Sequence, residues 1–287
     1  MERLQRMVES IAYIEDNLEA ELVMEDIARI AYMSKFHFQR MFTMLTGFTV
    51  SEYIRNRRIT KAAQELINSN ARVIDIALKY GYESPEAFTK AFRGIHGISP
   101  SMAKKNSHSL KAYPKLSFHI QIKGDVEMEY KIVEKEAFTV VGKSINTTTI
   151  GGDNHRAIAA FWEESNSNGF SEELAKNCGE LGLLGICLDF DHQLENMTYL
   201  IAAEKNIEVV PTDWIEREIS SATWAVFPVH GAMPDAMPKV WQRIFTEWFP
   251  STGYEHSGGP EMEVYLSNGD PSSDKYYSEI WIPIKKK

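Results

Sequence analysis

The sequence predicts a two-domain protein of mixed class. An all-α domain with two helix-turn-helix units comes first. An α+β domain follows, built from two β-α-β-β units, with an antiparallel sheet and helices on one side. Three observations predict this. The 287 residues, 44% of them apolar, are enough for two globular cores. Charge divides along the chain: residues 1–105 carry 15 Lys+Arg against 13 Asp+Glu, and residues 106–287 carry 16 against 27. A helical pattern repeats within the first third, whereas the remainder alternates strand and helix patterns.

The repeat compares DIARIAYMSKFHFQRMF at 26–42 with DIALKYGYESPEAFTKAF at 75–92. From the serine onward the register is constant: Ser34 and Ser84, Phe38 and Phe88, Arg40 and Lys90, Gly47 and Gly97 are each 50 apart. Each serine sits where a helix N-cap is wanted, because its hydroxyl accepts from an orphan backbone N–H. Pro85 takes the first helical position, where its missing N–H costs nothing. Small apolar residues precede each serine, and Phe38/Met41/Phe42 and Phe88/Ala91/Phe92 make an i, i+3, i+4 core stripe. Lys35, His37, Gln39 and Arg40 in the first copy, and Glu86, Ala87, Thr89 and Lys90 in the second, are expected to face outward.

Between the copies, VSEYIRNRRITKAAQELINSN reads as one long helix with Ile54, Ile59, Ala62, Ala63 and Leu66 inward and Arg55, Arg57, Arg58 and Lys61 on its rim. Such a connector would let two recognition helices enter successive major grooves about 34 Å apart. Residues 29–105 hold 13 basic and 5 acidic side chains, which suits a polyanion.

These residues resemble the AraC/XylS family DNA-binding domain, over about 100 residues and most specifically over ALKYGYESPEAFTKAFRGIHGISP. The resemblance implies that Lys35, Phe36, Gln39 and Arg40 lie on a first recognition helix, with Gln39 and Arg40 reading bases. It places Ser84, Pro85, Glu86, Ala87 and Lys90 at the second, with Arg93 beyond and Arg55 and Arg58 on the connector as backbone contacts. Glu86 would accept only from cytosine N4, so Lys90 and Arg93 anchor phosphate more than they read sequence. The expected domain is 1–105, with an N-terminal placement like that of Rob-type members, and its partner is double-stranded DNA.

Residues 106–124 are polar and aperiodic and read as a linker, so the second domain is expected over 125–287. Strands are expected at 126–145, 182–190, 197–204, 222–231, 261–266 and 276–284, with helices at 155–169 and 236–249. Alternation puts Glu261, Glu263 and Tyr265 on one face of their strand, and Tyr277, Glu279 and Trp281 on one face of theirs. A carboxylate among rings is either half-solvated or the floor of a site for a flat cation.

AFTVVG, TWAVFPVHG, EWFPSTGY, EMEVY and EIWIPI resemble the GyrI-like small-molecule-binding domain of Rob- and BmrR-type regulators. The resemblance implies an acidic pocket floor with aromatic walls: Glu279 and Glu263, walled by Tyr265, Trp281, Trp224, Phe161 and Trp162. Trp241 and Trp248 are expected in the core, as helix stripes are. The function implied is a DNA-binding transcription regulator sensing an amphipathic cationic or aromatic effector.

The alternative is a constitutive regulator whose second domain docks a protein such as RNA polymerase. A hydrolase is disfavoured, since no nucleophile–His–acid set or phosphate loop is evident. GxxGxxG at 179–185 lacks the dinucleotide spacing. Cys178 and Cys187 form no metal-ligand pattern, so free thiols in a reducing cytoplasm, no metal and no cofactor are expected. No apolar run approaches the roughly 20 residues that span a membrane.

Overall fold

The computed structural model describes residues 2–105, 110–117, 127–176, 179–191, 195–266 and 269–287. Cys178 lies outside them. Contacts divide the chain into two compact units, Met1–Phe38 with Val50–Lys123, and Gln39–Thr49 with Gly124–Lys287.

The N-terminal helices are α1 (Glu2–Asp16), α2 (Met24–Ile30), α3 (Lys35–Thr46), α4 (Val50–Asn68), α5 (Val73–Lys79), α6 (Pro85–His96) and α7 (Pro100–Lys105). The two helix-turn-helix units are α2–α3 and α5–α6. Ser84 caps α6 by accepting from Ala87 N at 3.1 Å, and Gly97 ends it at φ 74°. In α3 the His37 amide donates to Ser34 Oγ at 3.4 Å, the same cap more loosely made. Phe38, Met41, Phe42, Phe88 and Phe92 are all buried, as the stripes require. His37 and Gln39, expected to face outward, flank Phe38 and are buried too.

Helix α4 has 19 residues and is therefore about 28 Å long. Its Ile59, Ala62, Ala63 and Leu66 share a core with Ile76, Ala77, Phe88 and Phe92 of α5 and α6. The expected linker is partly structural. Leu110 joins that core. Tyr113 N donates to Thr60 Oγ1 at 3.0 Å, and Leu116 N to the Tyr53 hydroxyl at 3.3 Å. Two polar side chains of α4 thus hold residues that lack periodicity of their own.

The C-terminal elements are β1 (Lys131–Lys135), β2 (Phe138–Thr148), a 3-10 turn (Ile150–Gly152), α8 (Asp153–Ser167), α9 (Phe170–Lys176), β3 (Leu183–Asp191), β4 (Asn196–Glu204), β5 (Ile215–Ile219), β6 (Ala222–His230), α10 (Ala236–Arg243), a π-helical turn (Ile244–Trp248), α11 (Phe249–Ser251), β7 (Tyr254–His256), β8 (Glu261–Tyr265) and β9 (Tyr277–Lys286). The sheet is antiparallel in the order β1-β6-β9-β8-β3-β4-β2-β5, with β7 also pairing β9.

Two β-α-β-β units meet where β8 pairs β3. Each unit borrows an edge strand from the other: β1 precedes β2 but pairs β6, and β5 precedes β6 but pairs β2. Only Glu136 and Ala137 separate β1 from β2, a span of about 10 Å at most. The sheet must therefore curl until its two edges approach. Its inner face encloses Val140, Leu184, Ile186, Leu200, Ile219, Trp224, Val226, Met262, Val264 and Trp281 in one core. Its outer face carries α8 and α9 over Val141, Tyr199, Ile201 and Ala203.

Candidate functional site

The second recognition helix offers a free face. Glu86, Ala87, Lys90 and Arg93 are exposed on α6, while Ser84 and Pro85 are half-buried at its start. In α3, Lys35 and Phe36 occupy the first turn. Gln39 and Arg40, expected to read bases, are not free to do so: Gln39 is buried, and Arg40 donates from Nε and Nη2 to Glu261 at 2.7 and 2.6 Å, because a buried carboxylate needs a cationic partner. Lys35 Nζ pairs with Glu25 at 2.8 Å in an exposed contact that a phosphate could displace.

The connector departs from expectation. Arg55 is half-buried on the rim. Arg58 instead donates from Nε to Leu18 O at 2.9 Å and from Nη2 to Ala20 O at 2.7 Å. It also lies where a side chain at Gly81 would be. Arg58 is therefore a clamp on the α1–α2 loop, not a free phosphate contact. Arg57 is buried against Glu15. A long aliphatic stem lets arginine fold inward to satisfy carbonyls that short loops leave bare.

The seven residues expected to form one effector pocket lie on two faces of the sheet. The β8–β9 register pairs Met262 with Trp281 and Val264 with Glu279. Residues paired across strands share a face, so Glu263 and Tyr265 lie opposite Glu279 and Trp281. Trp224 and Trp281 belong to the enclosed inner core, ring centres 6.0 Å apart.

Glu279 is only 7% exposed. It accepts from Trp281 Nε1 at 2.7 Å, the Tyr277 hydroxyl at 2.8 Å and Lys131 Nζ at 3.0 Å. Burial pushes its carboxyl upward, but the donors from Tyr277, Lys131 and Trp281 outweigh burial and hold it below the usual carboxylate range. A glutamate sits among aromatics here because two of those aromatics donate to it.

Glu263 is the other case. It stands on the outer face beside the seam of the two units, paired across it with Gly185. Trp241 Nε1 donates to Oε1 at 2.9 Å, and the Tyr265 hydroxyl to Oε2 at 2.7 Å. The Tyr199 hydroxyl lies 3.5 Å away and accepts from Trp162 Nε1 at 2.8 Å. Trp162 meets Tyr265 edge-to-face at 5.2 Å, and Phe161 packs beside it against the α8 core. Burial raises the Glu263 carboxyl, against the lowering pull of Trp241 and Tyr265, and the neighbouring Glu261 carboxylate raises it further. Glu261 itself accepts from Arg40 Nε and Nη2 at 2.7 and 2.6 Å and lies 3.1 Å from the buried His256, and the Arg40 guanidinium also sits 5.4 Å from the Trp241 ring centre.

Trp162 on α8 and Trp241 on α10 thus flank one carboxylate from the two units. Trp241 is buried, as expected, and its indole N–H also donates to Glu263; Tyr199 is a second buried ring beside that carboxylate. Gly185 makes room: a Cβ there would overlap the Tyr199 hydroxyl. Gly185→Ala is expected to cost about 1–3 kcal/mol by overpacking, read as a lowered melting temperature.

Residues 128–285 match the model of the GyrI-like small molecule binding domain, and residues 27–106 that of a helix-turn-helix domain. The first match alone covers over half the chain. This chain belongs to the GyrI-like small-molecule-binding family, joined to an AraC-type helix-turn-helix domain. It is similar to the transcriptional activator AarP of Providencia stuartii, 47% identical over 94 residues, which are 33% of this chain and 70% of AarP. It is 37% identical over 102 residues to the multiple antibiotic resistance protein MarA of Salmonella typhimurium, covering 35% and 80% of the two chains. A structure of SAV2435 bound to tetraphenylphosphonium matches with TM-score 0.50 and 26% identity, over 55% of this chain and 94% of that one.

The GyrI-like regulator is accordingly a DNA-binding transcription regulator with a small-molecule-binding domain. Among the described residues, no helix is long and apolar enough to cross a membrane, and no group of three or more His, Cys, Asp or Glu could hold a metal. Cys187 is free.

Proposed function

We propose that the effector is a lipophilic aromatic cation, bound at Glu263 between Trp162 and Trp241, and that the protein acts in the cytoplasm as a non-enzymatic sensor. The observation that carries this is the half-buried Glu263 carboxylate ringed by Trp162, Trp241, Tyr199 and Tyr265. Rings give a flat cation contact area and cation–π attraction, and the carboxylate gives the countercharge. The likeness to SAV2435, solved with tetraphenylphosphonium, supports the same ligand chemistry. A cation would favour DNA-bound or free protein only through different affinities for the two.

The test is a fluorescence titration of the full chain with tetraphenylphosphonium and with a neutral aromatic of similar size. Two tryptophans in the site make the signal direct. Affinity is expected to fall as pH is lowered from neutral, because Glu263, raised from the ordinary carboxylate range, takes up its proton early and loses its charge. Equal affinity for the neutral compound, or no pH dependence, would sink the cation reading. Absence of any binding would favour a domain that docks a protein such as RNA polymerase.

A further inference from the structure

Each helix-turn-helix unit turns through one residue of positive φ. In the second it is Gly81, at 77°, and in the first it is Tyr32, at 54°. The two turns are built alike. Tyr32 N bonds Arg29 O at 3.0 Å and Met33 N bonds Ala28 O at 3.1 Å. Gly81 N bonds Leu78 O at 3.1 Å and Tyr82 N bonds Ala77 O at 3.0 Å. Glycine enters this conformation freely, whereas a Cβ is strained there.

Burial does not compensate for the strain at Tyr32, whose side chain is 72% exposed. The Arg6 guanidinium lies over its ring, 4.6 Å from the centroid. Arg6 also meets Glu9 at 3.2 Å, a partly exposed pair of little strength. Strain kept at an exposed aromatic, next to a cation and just ahead of a recognition helix, calls for a functional reason.

We propose that Tyr32 and Arg6 form a clamp on the DNA backbone beside α3. Guanidinium and phenol both donate to phosphate oxygens, and the ring holds the guanidinium plane before DNA arrives. Arg29, exposed one turn before Tyr32, and Lys35, at the start of α3, lie at the same turn, each in an exposed pair with an acid, Asp26 at 2.7 Å and Glu25 at 2.8 Å, that a phosphate could displace. The clamp carries no base specificity. It belongs to the helix-turn-helix domain and stands whether or not the effector is a cation.

Because phosphate contacts act on any sequence, the probe is a duplex of about 30 base pairs and arbitrary sequence, titrated with the full chain between about 50 and 200 mM salt. Tyr32→Gly is expected to melt at or above the wild-type temperature and yet bind about three- to tenfold more weakly. It changes no charge, so weaker binding is not a generic electrostatic loss. Arg6→Gln is expected to flatten the slope of log affinity against log salt by about 0.9. Wild-type affinity for Tyr32→Gly would overturn the clamp. So would a Tyr32→Gly variant that melts several degrees lower, since the tyrosine would then serve stability.

Discussion

Glu263→Gln is expected to weaken tetraphenylphosphonium binding by about 10- to 100-fold, matching the 1–3 kcal/mol that an unpaired charged partner loses in a partly desolvated site. Glutamine keeps the shape: its one oxygen can accept from Trp241 Nε1, which now donates at 2.9 Å, and its NH2 can donate to the Tyr265 hydroxyl, now 2.7 Å away. Fold and aromatic walls should therefore survive, and the loss should isolate the charge. Removing a half-buried carboxylate whose pKa is raised by burial also relieves a desolvation cost, so the variant should melt no lower than wild type. Glu279→Gln is the contrasting substitution. It removes a carboxylate on the opposite face, where three donors already satisfy it, and should leave affinity within about twofold while lowering stability by about 1–3 kcal/mol.

The Glu279 contribution has a definite pH window. Its folded pKa is depressed, so its stabilisation is present above the unfolded glutamate value of about 4.3 and is lost as pH falls through the lower folded value. If the two variants exchanged these outcomes, with Glu279→Gln losing the ligand and Glu263→Gln losing stability, the assignment of faces to roles would be wrong.

The contrast between these two glutamates marks where sequence reading stopped. Periodicity says which residues share a face along one strand, and it did so for Glu263 with Tyr265 and for Glu279 with Trp281. It does not say how adjacent strands pair. A slip of one residue between β8 and β9 would bring both carboxylates together, and only the Met262–Trp281 register separates them. The exchanged edge strands β1 and β5 were equally hidden, since their partners lie in the other unit. The helix stripe puts Trp241 in the core, and it is buried there; periodicity does not show where its indole N–H finds the acceptor that a buried tryptophan needs. Local chemistry was legible at the caps and stripes: the Ser84 cap, the proline after it and the phenylalanine stripes all stand as read, whereas His37, Gln39 and Arg40, expected outward on α3, turn out buried or ion-paired with Glu261. Charge alone misled on the connector, where four basic residues looked like one rim and two of them fold inward.

Arg57 shows how large that inward role is. Its Nε and Nη2 each donate to Glu15 at 2.7 Å, with both side chains only 8% exposed, and Nη1 reaches the Tyr113 carbonyl. The Tyr53 hydroxyl donates to Glu15 at 2.7 Å. Burial raises the Glu15 carboxyl, but Arg57 and Tyr53 together bring it below its ordinary value. Arg57→Ala would leave that carboxylate buried with one donor in place of three, and it would free the strap at Tyr113. The expected cost is about 3–5 kcal/mol, a large part of the 5–15 kcal/mol that holds a domain folded. Urea unfolding measures it, and DNA binding should be lost with the fold. Replacing both partners, Arg57→Met with Glu15→Leu, should restore much of the loss, because apolar residues leave no charge stranded. Acid sensitivity separates the variants. Glu15 has a depressed folded pKa, so the wild-type pair stabilises above the unfolded value of about 4.3 and loses that gain as pH falls through the folded one. The double variant should lack this step. A cost below about 1 kcal/mol for Arg57→Ala would mean that water reaches Glu15 and that the strap is held by Thr60 and Tyr53 alone.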